Sequence, residues 1–97
     1  MSRKNVVLTA KQRRTLQALS QDLTRVAMGR YRGQTKMADS FAIEAKKRLA
    51  EYPDFVFADQ ILHALDSRAE RSAEDLLMYA TLTRNRASVV NISEAVE

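Results

Sequence analysis

Apolar residues recur along most of this chain at intervals of three and four, the spacing that lines one face of a helix. Leu16, Leu19, Leu23, Val26 and Ala27 form the first such stripe. Directly before it, Thr9-Ala10-Lys11-Gln12 has the S/T-x-x-E/Q form in which a hydroxyl and an amide satisfy the first orphan N–H groups of a helix. The pattern predicts a first helix over about 10–29, closed by a turn at Gly29-Arg30-Tyr31-Arg32-Gly33, where a glycine just past the helix end supplies a left-handed C-cap. Met37, Ala38, Phe41, Ala42, Ala45, Leu49 and Tyr52 mark a second helix over roughly 36–52, and Pro53 ends it because proline disfavours helical geometry in the residue before it.

Asp54 is placed to cap a third helix over about 55–68, with Phe57, Ile61, Ala64 and Leu65 on its apolar side. The run Phe55-Val56-Phe57 also fits a short strand, and periodicity does not decide so brief a segment. Ser72-Ala73-Glu74-Asp75 reads as the start of a fourth helix over about 73–87, its two acids favourable at the positive end of the helix dipole. Ser88-Val89-Val90-Asn91-Ile92-Ser93 has the β-branched density of a strand, but a lone strand has no partner in this chain, so 88–97 is expected to be an extended tail. Residues 1–8 end in the apolar pin Val6-Val7-Leu8, which either docks on the core or frays. The expected fold is therefore all-α, a small antiparallel four-helix bundle with an extended C-terminal tail, forming a single helical domain over 1–97. Its expected core is Leu16, Leu19, Leu23, Phe41, Ala45, Leu49, Phe57, Ile61, Leu65, Leu76 and Ala80.

Composition narrows the chemistry. With 97 residues the chain has room for one core, and 45% apolar against 29% charged residues is a folding composition. The absence of cysteine excludes disulfides, thiolate metal sites and a thiol nucleophile, and it points to a reducing cytoplasm. Apolar runs of a few residues, such as Val6-Val7-Leu8, are far short of the roughly 20 that span a bilayer. No membrane span is expected.

The net charge of +4 conceals an asymmetry. Residues 1–50 hold twelve Lys and Arg against Asp22, Asp39 and Glu44, a net +9, whereas residues 51–97 hold four Arg against nine acids, a net −5. Eleven of the sixteen cations are arginine, the side chain suited to bidentate contact with phosphate or carboxylate. The acidic half either neutralises the basic half within the molecule or leaves a basic face free for a polyanion.

Catalytic candidates are few. His63 is the only imidazole and falls on the polar side of helix 3 with Asp59 four residues before it, without the further ligands a metal needs or a nucleophile to serve. Glu74 and Asp75 are adjacent, so they point about 100° apart on a helix and do not form an acid/base pair. The glycines at 29 and 33 lack both the strand before and the Lys-Ser/Thr after that a phosphate-binding loop requires. Neither an enzyme, a cofactor nor a metal site is expected.

What remains is a basic constellation. Lys11, Arg14 and Arg25 share the side of helix 1 away from the leucines, Arg30 and Arg32 carry the charge into the turn, and Lys36, Lys46 and Lys47 continue it along an antiparallel helix 2. Tyr31 adds a flat ring able to stack on a base, or else to pack over the turn. A second feature is apolar: Ile43 on helix 2, and Met78 and Leu82 on helix 4, lie off the core stripes, and they suit a protein partner or a second copy of the chain.

The stretch Leu8-Thr9-Ala10-Lys11-Gln12-Arg13-Arg14, followed by Leu16, Leu19, Leu23, Val26 and Gly29, resembles the first helix of the CRM-type RNA-binding domains of ribosome maturation. The likeness covers about a quarter of the chain. That family continues through a basic Gly-x-x-Gly loop into an α/β sheet, whereas here the glycines stand one residue further apart and the rest reads helical, so neither its fold nor its sites are carried over. In size, basicity, lack of cysteine and helix number the chain is also similar to the intracellular immunity proteins of bacteriocin producers, a likeness that implies a protein partner near a membrane. The expectation is a non-enzymatic binding module, for nucleic acid first and for an acidic protein partner second.

Overall fold

The computed structural model describes residues 8–67 and 71–96, and the side chains of 8–67 and 72–88. Val6 and Val7 of the N-terminal pin lie outside the described residues. Four helices are present, α1 (Ala10–Tyr31), α2 (Thr35–Glu51), α3 (Ala58–Asp66) and α4 (Arg71–Val96), with no strand among the described residues. α1 is the central element. Gly29 against Ala38 and Asp22 against Arg48 set α2 antiparallel on one side of it. Arg30 against Ser72 and Ser20 against Ala80 set α4 antiparallel on another.

The local signals explain most helix ends. At the start of α1 the Thr9 hydroxyl accepts from the Gln12 amide at 3.0 Å and the Gln12 side chain accepts from the Thr9 amide at 3.0 Å, a complete capping box. Leu8 docks beside it, buried in the core.

At the other end the two glycines take different roles. Gly29 is helical, and it is small because α2 crosses there: a Cβ on it would lie 3.0 Å from the Ala38 Cβ and 3.2 Å from the Ala38 nitrogen. Gly33 is the left-handed residue, at φ 71°, with Gln34 N–H bonded to the Gly29 carbonyl at 2.7 Å and Gly33 N–H to the Arg30 carbonyl at 3.3 Å. This is a Schellman closure, so α1 runs to Tyr31, beyond the expected end near 29. Nothing lies within 4 Å of a Cβ built on Gly33, so Gly33→Ala isolates the backbone term. It is expected to lower the urea midpoint by the equivalent of about 1–2 kcal/mol, with Gly33→Asn losing less. Alanine at the wild-type midpoint would mean that the turn is not held left-handed.

Three expectations are corrected. α3 begins at Ala58 after Phe57, with no side-chain cap, instead of near 55 behind Asp54. Phe55 is buried at that point and anchors the turn, in a chain of rings that runs Tyr52, Phe55, Phe57, Tyr79 with centroids 5.7, 5.6 and 6.0 Å apart. Burial of a phenyl ring outweighs a surface cap. Ser72 lies inside α4, not at its cap, and its hydroxyl accepts from Arg30 at 2.8 Å. Most visibly, α4 continues to Val96, so the β-branched run 88–93 is helical where an extended tail was expected. Each β-branched residue disfavours a helix by less than about 0.7 kcal/mol, and after Pro53 the chain has neither glycine nor proline to stop one.

Leu16, Leu19, Leu23, Ala45, Leu49, Ile61, Leu65, Leu76 and Ala80 are buried as expected, while Phe41 and Phe57 are half-buried at the core's edge. Two polar ties cross the core. Ser20 Oγ donates to the Ala80 carbonyl at 2.9 Å, joining α1 to α4, and Arg48 Nε donates to Asp22 Oδ2 at 2.8 Å, joining α2 to α1.

Candidate nucleic-acid interface

The face of α1 opposite the leucines is exposed along its length. At 100° per residue, Lys11, Arg14, Arg25 and Arg32 fall within roughly 60° of arc, in a line that rises about 31 Å from the first to the last. All four are exposed, and none forms an ion pair among the described residues. The guanidinium carbon of Arg25 lies 5.2 Å from the centroid of the Phe41 ring, so the charged head group rests on the ring while the side chain stays exposed. Asp22, the one acid in α1, is buried and held by Arg48, so the exposed face of this helix is without negative charge.

Gln17 and Gln21 stand exposed between the cations. Being neutral, they are invisible to a search for charge, although they follow the same three-and-four spacing as Arg14 and Arg25. Their amides are neutral donors of the kind that bond phosphate oxygens.

The turn extends this face. Residues 31–37 are exposed without a break, among them Tyr31, Arg32 and Lys36, and Tyr31 is 54% exposed. α2 begins at Thr35 with no side-chain cap and no acid in its first turn, so its free amides add positive potential beside Arg32 and Lys36. Tyr31 projects about 100° around α1 from Arg32, toward one edge of the stripe.

The other expected site cations, Arg30, Lys46 and Lys47, are engaged elsewhere. Arg30 turns inward, and its guanidinium donates to the carbonyls of Ala64 (3.2 Å), Ser67 (3.0 Å) and Leu65 (2.6 Å) and to Ser72 Oγ. It closes the C-terminus of α3. Lys46 Nζ lies 2.6 Å from Asp66 Oδ1, and Lys47 Nζ lies 3.5 Å from Glu44 Oε2. The hydrogen bond from Lys46, reinforced by its charge, holds the Asp66 carboxyl below its usual value. The Lys46 tie is therefore intact above the ordinary carboxylate range and is lost as pH falls and Asp66 takes up its proton.

The apolar candidates separate. Ile43 (56% exposed) belongs to α2, whereas Met78 (48% exposed) and half-buried Leu82 share the outer side of α4, and α2 and α4 barely touch each other. His63 is exposed and lines a shallow open cleft with Asp59, Gln60, Ala64, Asp75 and Tyr79. Among the described residues no cluster of His, Asp and Glu is arranged to hold a metal ion, and no helix is long and apolar enough to cross a membrane. Comparison with family models, with curated proteins and with solved structures finds no match to this chain.

Proposed function

We propose that the protein is a non-enzymatic binding module whose α1 face docks on the phosphate backbone of a nucleic acid. The observation that carries this reading is the line Lys11, Arg14, Arg25, Arg32: three exposed cations on one side of α1 and a fourth at its C-cap, with the only acid of that helix turned inward. A merely solvated face mixes both signs of charge, as α2 does with Glu44 and Lys47. Phosphate contacts supply sequence-independent affinity, and Tyr31 and Lys36 flank the end of the line where a base would stack.

The test is a salt titration of binding to a generic RNA and a generic DNA duplex. Four neutralised phosphates give a slope of log affinity on log salt of about −3.6 on B-DNA. Arg14→Gln and Arg32→Gln should each flatten it by about one unit, and Arg30→Gln should not. Absence of binding at low ionic strength rejects the proposal. The second reading, a protein partner of the immunity type in the cytoplasm near the membrane, draws on the exposed side chain of Ile43. It would be favoured by binding that is lost in Ile43→Ser and retained in Arg14→Gln.

A further inference from the structure

α4 has one continuous buried side and, away from it, an apolar pair set among exposed polar residues. Ala73, Leu76, Ala80, Thr83 and Ala87 face the core and are buried. Met78 and Leu82, four residues apart, occupy the opposite side, and Met78 remains 48% exposed. Glu74, Thr81 and Asn85 are the polar residues expected on an outer face, and Met78 and Leu82 interrupt them.

The charges beside Met78 and Leu82 are arranged in a particular order. Asp75, Tyr79, Leu82 and Arg86 follow one another at intervals of four, three and four, so Asp75 and Arg86 lie on the same flank of the apolar pair. Neither has an ion pair among the described residues. Arg86 is half-buried, its Nε enclosed within the fold and the rest of its side chain at the edge of the outer face.

We infer that the outer face of α4 is the docking surface for α4 of a second copy of this chain, with the two helices antiparallel and centred at the level of Ala80 and Thr81. In that arrangement Met78 packs on the partner's Leu82 and Leu82 on the partner's Met78. The same centre brings Asp75 level with the partner's Arg86, and Arg86 level with the partner's Asp75. A parallel pairing would set Asp75 against the partner's Asp75 and Arg86 against the partner's Arg86, so charge selects the antiparallel form. The pairing is self-complementary, as a twofold interface must be. It uses no residue of the α1 stripe and leaves that face open.

Sedimentation equilibrium across a concentration series tests this, with circular dichroism confirming that each variant stays helical. The wild type should sediment as a concentration-dependent dimer. Met78→Glu and Leu82→Glu should each weaken dimerisation at least tenfold, and Met78 is exposed enough for its substitution to leave the fold intact. Asp75→Arg and Arg86→Asp should each weaken it as well, and the double variant Asp75→Arg/Arg86→Asp should recover it, because the pairs are then re-formed with reversed sign. A wild type that stays monomeric throughout, or a dimer indifferent to Met78→Glu and to both charge reversals, overturns the inference. Loss of nucleic-acid binding in Arg14→Gln with the dimer intact would keep the two proposals separate.

Discussion

Arg30→Ala is expected to destabilise the protein by about 2–4 kcal/mol and to release α3 before the rest of the molecule unfolds. The guanidinium holds three carbonyls at the end of α3 together with the Ser72 hydroxyl of α4. Hydrogen bonds involving a charged group contribute about 1.5–3 kcal/mol, and a cation at a helix C-terminus adds up to about 1 kcal/mol in ordinary geometries. The four bonds are not independent, so their sum overstates the effect. α3 has nine residues, fewer than the roughly 12–15 at which a helix is marginal on its own, so it depends on such a clamp. Lysine should restore part of the charge interaction and little of the clamp, because one ammonium cannot reproduce the planar fork. Amide exchange checks both points: α3 should lose protection selectively in Arg30→Ala and remain weakened in Arg30→Lys. Unchanged exchange in α3 would show that the observed bonds do not hold it.

Leu19→Ala should have an effect of comparable size by a different route. Leu19 is 1% exposed on the central helix, between Leu16 and Leu23, which are both fully enclosed. Removing a buried leucine down to alanine loses its transfer free energy and leaves a cavity, together about 2–5 kcal/mol. At about 4–8 °C per kcal/mol, the melting temperature of a domain this small should fall by at least about 8 °C. Ile43→Ala, at a position 56% exposed, serves as the comparison and should stay within about 0.5 kcal/mol of the wild type. Calorimetry of the two variants distinguishes a true core position from an apolar side chain lying on the surface. A Leu19→Ala protein that melts with Ile43→Ala would remove Leu19 from the core.

What could be read from the sequence was whatever is decided within one or two turns of chain. The box at Thr9 and Gln12, the stripe of leucines and the stop at Pro53 all act locally, and each is found where the spacing puts it. Gly29 and Gly33 were both visible, but their division of labour was not, because Gly29 is explained by the approach of Ala38 from another helix. Arg30 could not be told from Arg32 for the same reason. Three of its partners are backbone carbonyls 34 to 37 residues away, which carry no side-chain signature, and the fourth is the Ser72 hydroxyl 42 residues away. The exposed line of cations was legible because exposure on a helix is periodic. The pairing of Lys46 with Asp66, 20 residues on, was not.

The position of α1 between α2 and α4 also sets an order of assembly. Its contact with α2 closes a loop of 9 residues at Gly29 and Ala38, and its contact with α4 closes one of 42 at Arg30 and Ser72. Since closure entropy grows as three halves of RT times the logarithm of loop length, the longer loop costs about 1.4 kcal/mol more to close. The basic half of the chain thus meets itself first, as a hairpin whose like charges repel, and the acidic half arrives on a surface already positive. Long-range attraction between the two halves acts on the slow step, so added salt screens the approach of α4 while leaving the hairpin's apolar contacts largely untouched.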